Sequence, residues 1–257
     1  MSSREIWIAY VTLVIKEVRR FARIWQQTLL PPAITIALYF IIFGGLIGPR
    51  IGQMSGFSYM EFVVPGLIML SVITSSFGNV VSSFFGNKFA GNIEELLVSP
   101  MPNYIILLGY ITGGVARGLA VGVIVTVLSL FFVDLDVQHP IVTVCVVILT
   151  SILFSLAGLV NAVYAENFDD ISIIPTFVLT PLTYLGGVFY SMSLLSEFWQ
   201  GMSKLNPILY MVNAFRYGFL GISDIDISRG FTILTLFVIA LFIFALRLLE
   251  TGKNLRA

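Results

Sequence analysis

Residues 141–164 read IVTVCVVILTSILFSLAGLVNAVY, twenty-four residues with no charge among them. A helix that crosses the hydrocarbon of a bilayer needs about 20 mostly apolar residues, and this stretch supplies them. Five more stretches of the same kind lie around it. Upstream are Leu29–Ile47, Tyr59–Val81 and Tyr104–Val133; downstream are Ile173–Tyr190 and Phe231–Leu249. The charges fall almost entirely in the gaps. Hydrophobic residues make up 58% of the 257-residue chain and charged residues 11%, with a mean hydropathy of +0.97. Soluble chains carry about 25% charged residues, so lipid is the solvent for most of this one. Strict alternation of apolar and polar residues is absent, which excludes a barrel. Irregular backbone is not stable in lipid, so the spans are helices. The expected fold is all-α and integral to the membrane, with six transmembrane helices in a single domain over 1–257.

The flanks refine this. Residues 4–25 form an amphipathic segment: Lys16, Arg19, Arg20 and Arg23 recur at helical spacing on one face, and Val14, Val18, Phe21 and Trp25 on another. Such a helix lies in the interface, either as an anchor or as a lever joining a cytoplasmic partner to the first span. Pro31-Pro32 would fix the bend between them. Positive charge follows the apolar run Ile6–Ile15 rather than preceding it, so no signal peptide is expected. Residues 191–230 contain Asn206-Pro207, Asn213 and Arg216; an Arg at mid-membrane costs about 2.5–3.5 kcal/mol. A re-entrant external hairpin between spans five and six fits this composition better than a seventh crossing. Nine cations (Arg4, Lys16, Arg19, Arg20, Arg23, Lys88, Arg247, Lys253, Arg256) then face Arg50, Lys204, Arg216 and Arg229, placing both termini in the cytoplasm.

Much chemistry is missing. Zero net charge argues against a nucleic-acid partner. Cys145 is the only cysteine and His139 the only histidine, so neither a disulfide nor a metal site is expected. There is no phosphate loop, G-x-S-x-G elbow or H-E-x-x-H helix, so no cofactor and no catalytic residues are assigned to this chain. Two ionisable residues fall within spans, Glu61 and Arg117. They pair if the Arg snorkels outward; otherwise Arg117 bonds backbone carbonyls in a stretch of small residues suited to close helix packing.

Residues 84–103 hold the most informative polar gap. Asn92 can cap a short helix, with Glu94 and Glu95 in its first turn; Ile93, Leu96 and Leu97 are its apolar residues, and Ser99-Pro100 stops it. It is either an ordinary loop helix or a plug for another protein. Together with Gly186-Gly187-Val188-Phe189-Tyr190 and the run Asn206-Pro207-Ile208-Leu209-Tyr210 followed by Arg216, this segment resembles the membrane subunits of type-2 ABC transporters, the export-class permeases of bacterial inner membranes. The resemblance covers essentially the whole chain.

That resemblance implies a homodimer of permeases in membrane lipid, each copy resting on a separate ATPase subunit that binds ATP and Mg. It makes Asn92, Ile93, Glu94, Glu95, Leu96, Leu97 and Pro100 the coupling helix, with Arg19 and Arg23 also facing the ATPase. Asn206, Pro207, Tyr210 and Arg216 become a signature of the external hairpin. The conduit would run between protomers along spans one, two and five. Its candidates here are Tyr39, Phe43, Phe77, Asn79, Thr180, Thr183 and Tyr184, residues that otherwise serve simple packing. The implied activity is export of a hydrophobic or amphipathic substrate by alternating access. An ATPase-independent carrier and a membrane-embedded lipid-acting enzyme are the alternatives.

Overall fold

The computed structural model describes residues 1–252, 254 and 255; Lys253 and Arg256, counted above, lie outside these. The order of elements is α1 (Ser3–Arg23), α2 (Trp25–Ile51), α3 (Tyr59–Phe89), α4 (Asn92–Val98), α5 (Asn103–Ser129), α6 (Pro140–Tyr164), α7 (170–184), α8 (Glu197–Ser203), α9 (Pro207–Leu220) and α10 (Ile227–Thr251). A two-residue antiparallel pair, Gln53–Met54 with Phe57–Ser58, turns the chain from α2 into α3.

Among the described residues, five helices are long and apolar enough to cross a membrane: α2, α3, α5, α6 and α10. The fifth predicted span, Ile173–Tyr190, is helical only as far as Tyr184. Fifteen residues give a rise of about 22 Å. Glycine ends it: the Gly186 amide turns back to Thr183 O and Gly187 adopts φ +70°, a conformation that favours glycine. Prolines also break regularity. Pro175 opens a π-helical stretch, Pro175–Leu179, within α7. A second π-helical stretch, Ile41–Ile47, carries Gly44-Gly45 within α2.

Helix α3 is the axis of the bundle. Of its most apolar window 83% is buried, against 11% for α2. It carries two apolar clusters. Near Tyr59, Phe62, Leu67 and Ile68 pack with Phe40, Met211, Phe215 and Leu234. Near Phe89, Phe84 and Phe85 pack with Leu13, Ile93, Tyr110, Leu159 and Leu248. Between them the helices touch through small residues. Gly114, Gly118 and Gly122 repeat every four residues on α5, the spacing of one helix face. A β-carbon at Gly114 would meet Ser155 and Val80, and one at Gly118 would meet Ser76 and Ser151. Gly158 on α6 would put a β-carbon 2.6 Å from the Phe77 carbonyl oxygen. Without a hydrophobic drive between helices in lipid, close approach of backbones is what holds α3, α5 and α6 together.

The amphipathic segment is helical as expected but ends at Ile24, so Trp25 belongs to the next helix. Its inner face is Leu13, Glu17 and Phe21. It rests on a second glycine face of α5, where Leu13 lies over Gly109 and Glu17 over Gly113.

These contacts predict opposite outcomes for two glycine substitutions. Gly158→Ala, facing a carbonyl that cannot move aside, costs about 1–3 kcal/mol. Gly86→Ala, with open space around it on α3, is neutral or stabilises by up to about 1 kcal/mol. Thermal unfolding of the purified variants in detergent checks both.

Candidate translocation groove and docking helix

Prolines in the helices leave carbonyls without a partner, and side chains from elsewhere reach them. Pro32 has no N–H for Thr28 O; the Arg117 Nη2 donates there at 3.1 Å. Pro175 has none for Ile171 O; the Asn161 amide donates to it at 3.1 Å. Arg117 therefore clamps the start of α2 onto α5. It does not pair with Glu61, which closes a capping box with Ser58 at the start of α3. The carbonyl that Arg117 holds lies on α2, outside its own small-residue stretch.

Beside this clamp lies a groove of about 690 Å³ between α2, α3 and α7. Tyr39, Phe77, Thr180, Thr183 and Tyr184 line it, five of the seven expected conduit residues. Phe43 and Asn79 do not. Phe43 stands behind the lining and packs on Phe189, ring centres 5.2 Å apart. Asn79 is fully buried and accepts from Arg20 Nη2 at 2.8 Å through both its side-chain and its backbone oxygen. Other lining groups were not expected there, among them Phe189, Pro31 and Ser75. Phe189 lies among Tyr39, Phe43 and Tyr184, brought there by the Gly187 turn. Pro31 and Ser75 also face the groove.

Glu17 was missed altogether. It is completely buried at the α1–α3–α5 junction, accepts from Ser83 Oγ at 2.8 Å and lies 3.5 Å from Arg20 Nε. Buried carboxylates need such partners. The signal in sequence was an acid set among four cations, Lys16, Arg19, Arg20 and Arg23. Arg19 and Arg23 remain exposed.

At the same end of the bundle sits α4. Gly91, at φ +75°, supplies the turn into it. Asn92 is its first residue and makes no side-chain cap, which corrects the expected capping role. Ile93 is buried in the second apolar cluster; Leu96 and Leu97 are half-buried against it. Asn92, Glu94, Glu95, Val98 and Pro100 are exposed. Lys88, expected as a loop cation, instead donates to Val163 O and Ala165 O at 2.7 Å each, satisfying the end of α6.

At the opposite end a short turn joins α8 to α9, and α9 is tied down at several points. Asn206 caps α9, accepting from the Ile208 amide at 3.0 Å, and donates to Leu182 O at 2.5 Å, a carbonyl freed where α7 ends. Pro207 takes the first helical position. Tyr210 donates to Lys204 O at 2.7 Å. Arg216, 1% exposed, donates to Phe62 O at 3.2 Å and Gly187 O at 2.7 Å, and stacks 3.8 Å above the Phe62 ring. Of the signature residues, Asn206 and Arg216 thus fasten α9 to the end of α7 and to α3, while Pro207 and Tyr210 shape its start.

Spanning helices, a lateral groove and helices at either end define a polytopic membrane transport component. The chain is a member of the ABC-2 type transporter family, whose model matches residues 8–220. It is 59% identical over 251 residues to the inner membrane transport permease YadH of Escherichia coli K12, covering 98% of both chains. It is 23% identical over 214 residues to nodulation protein J of Neorhizobium galegae, covering 83% of this chain and 82% of the other. The protein is accordingly a multi-pass membrane protein with the role of a transport permease, a subunit that is not itself an enzyme.

Replacing Arg216 with Ala removes two charge-assisted bonds and takes away the donor to Gly187 O. The expected loss is about 3 kcal/mol or more, seen as a lower melting temperature. Limited proteolysis should then cut faster within residues 191–226.

Proposed function

We propose that this chain is the membrane-spanning subunit of an ATP-binding-cassette exporter in the bacterial inner membrane. It works as a homodimer moved by a separate ATPase. Membership of the ABC-2 family implies an ATP-binding partner; the character of α4 carries the reading further. A seven-residue helix anchored through Ile93, with Glu94, Glu95 and Val98 turned outward, is a rigid plug for a groove in another protein. The exposed Arg19 and Arg23 of α1 extend the same surface.

In this reading the chain crosses the membrane six times, with α7 as the short fifth span, and both termini are cytoplasmic. The hairpin α8–α9 enters the outer leaflet and returns. Leu205 at its bend and Phe198 on α8 are exposed, as residues facing lipid or a second copy would be. The exposed apolar face of α2 (Ile34, Leu38, Ile41 and Leu46) and the open groove beside it favour a second protomer closing the conduit. Cargo is hydrophobic or amphipathic, in keeping with a wall of proline, threonine and aromatic residues.

ATP and Mg, held by the partner, draw two ATPase subunits together. Each α4 moves with its ATPase, and its anchor on α3 and α1 transmits the shift to the groove. Reversing the preferred arrangement from 1:99 to 99:1 takes about 5.5 kcal/mol of differential binding; this chain's part is to remain rigid enough to deliver it.

Glu94→Arg tests the assignment. It reverses an exposed charge without touching the core, so folding is expected to be normal. ATPase association should weaken about tenfold, or about 1.4 kcal/mol, measured by pull-down titration and by ATP-driven transport in proteoliposomes. Unchanged association and transport would remove α4 from the interface.

A further inference from the structure

Among the described residues, Arg117 is the one charged residue lining the groove. Only one of its donors is engaged, through Nη2 to Thr28 O, and its Nε is buried without a partner. Ser75, on the facing wall of α3, also presents a buried hydroxyl with no partner. Arg20 bonds Asn79 of α3, one turn along from the Ser76 that lies against Gly118, the neighbour of Arg117. Among the described residues, Glu17 is the only carboxylate bonded into this junction, and it is engaged with Arg20 and Ser83. One carboxylate against two guanidinium groups leaves this end of the groove positive, in a place with little water to screen it.

The groove is polarised along its length. Arg117 is level with Ser76, since Ser76 lies against Gly118. That is 17 residues, about 26 Å, along α3 from Tyr59. Tyr39, Tyr184 and Phe189 cluster toward the other end, where Phe189 accepts from Tyr59 through its carbonyl at 3.2 Å. A volume of about 690 Å³ falls within the usual range for small-molecule sites, about 300–1,000 Å³.

We infer that the groove takes an anionic amphiphile as cargo. Its acidic head group sits against Arg117 and Ser75, and its apolar tail runs toward the aromatic cluster of Tyr39, Tyr184 and Phe189. This rests on the groove being the transport path. Arg117 has a structural bond to Thr28 and keeps donors for a carboxylate, phosphate or sulfate, which it can meet with two parallel bonds.

The test compares two photoactivatable probes with the same palmitoyl tail, a lysophosphatidic acid and a monoacylglycerol. The full chain is held in phosphatidylcholine nanodiscs. Labelling of α2 and α7 peptides should favour the anionic probe about tenfold. Arg117→Gln should abolish that preference while keeping the neutral probe's labelling, and Arg117→Lys should restore part of it. Excess phosphatidylglycerol should not displace the anionic probe; displacement would mean a resident bilayer lipid and overturn the assignment to cargo. Equal labelling by the two probes in the wild-type chain overturns the inference outright, whether or not the Arg117 variants fold. If that equal labelling accompanies normal ATPase recruitment, the transport reading stands alone. Preference for the anionic probe without recruitment has the reverse meaning.

Discussion

Every backbone carbonyl inside a membrane protein needs a donor from the protein itself, because the hydrocarbon provides none. This chain has prolines and early helix ends where regular bonding fails, and a long nitrogen-bearing side chain meets the gap in case after case. Arg117 takes Thr28 O behind Pro32, Asn161 takes Ile171 O behind Pro175, Asn206 takes Leu182 O, and Lys88 takes Val163 O and Ala165 O. Each such bond joins two different elements, from neighbouring helices (Asn161 to Ile171) to segments 89 residues apart (Arg117 to Thr28). Prolines that would weaken an isolated helix thus become the points at which the helices are joined to one another.

The remaining cohesion comes from small residues. Gly109 and Gly113 seat α1, while Gly114, Gly118 and Gly122 bring α5 against α3 and α6. The two glycine faces of α5 make it the common contact between the amphipathic helix and the bundle. The pair of buried Glu17 and partly exposed Arg20 then fixes the rotation of α1. Any other rotation would carry a carboxylate away from Ser83 and out of reach of its counter-ion.

The spans were readable because hydropathy over 20 residues is a bulk property that tertiary contacts do not overturn. The short α4 was readable from its acidic first turn and its Ser99-Pro100 stop, although the residue turning the chain into it is Gly91. The fifth span was overestimated because Leu185–Tyr190 is apolar enough to pass a hydropathy test, whereas Gly187 at positive φ ends the helix whatever the hydropathy. Asn79 and Phe43 were expected on the conduit from the spans they occupy, and neither lines the groove. Which way a residue faces depends on the neighbour that claims it: Arg20 for Asn79, Phe189 for Phe43. Lys88 was counted as a surface cation because the carbonyls it serves are more than 70 residues away. Glu17 was hidden for a related reason, since its partner Ser83 lies 66 residues along the chain.

The two π-helical stretches, Ile41–Ile47 and Pro175–Leu179, fall in α2 and α7, the walls of the groove, and neither occurs in the densely packed α3, α5 or α6. Widened turns of this kind have already given up the regular i→i+4 pattern, so further flexing there disrupts less than it would in an intact helix. The groove is therefore elastic on two sides and stiff on the third, where α3 forms the back wall. Under the proposed function, cargoes of different girth would be accommodated by bowing of α2 and α7, while the packed α3 would keep its length and register.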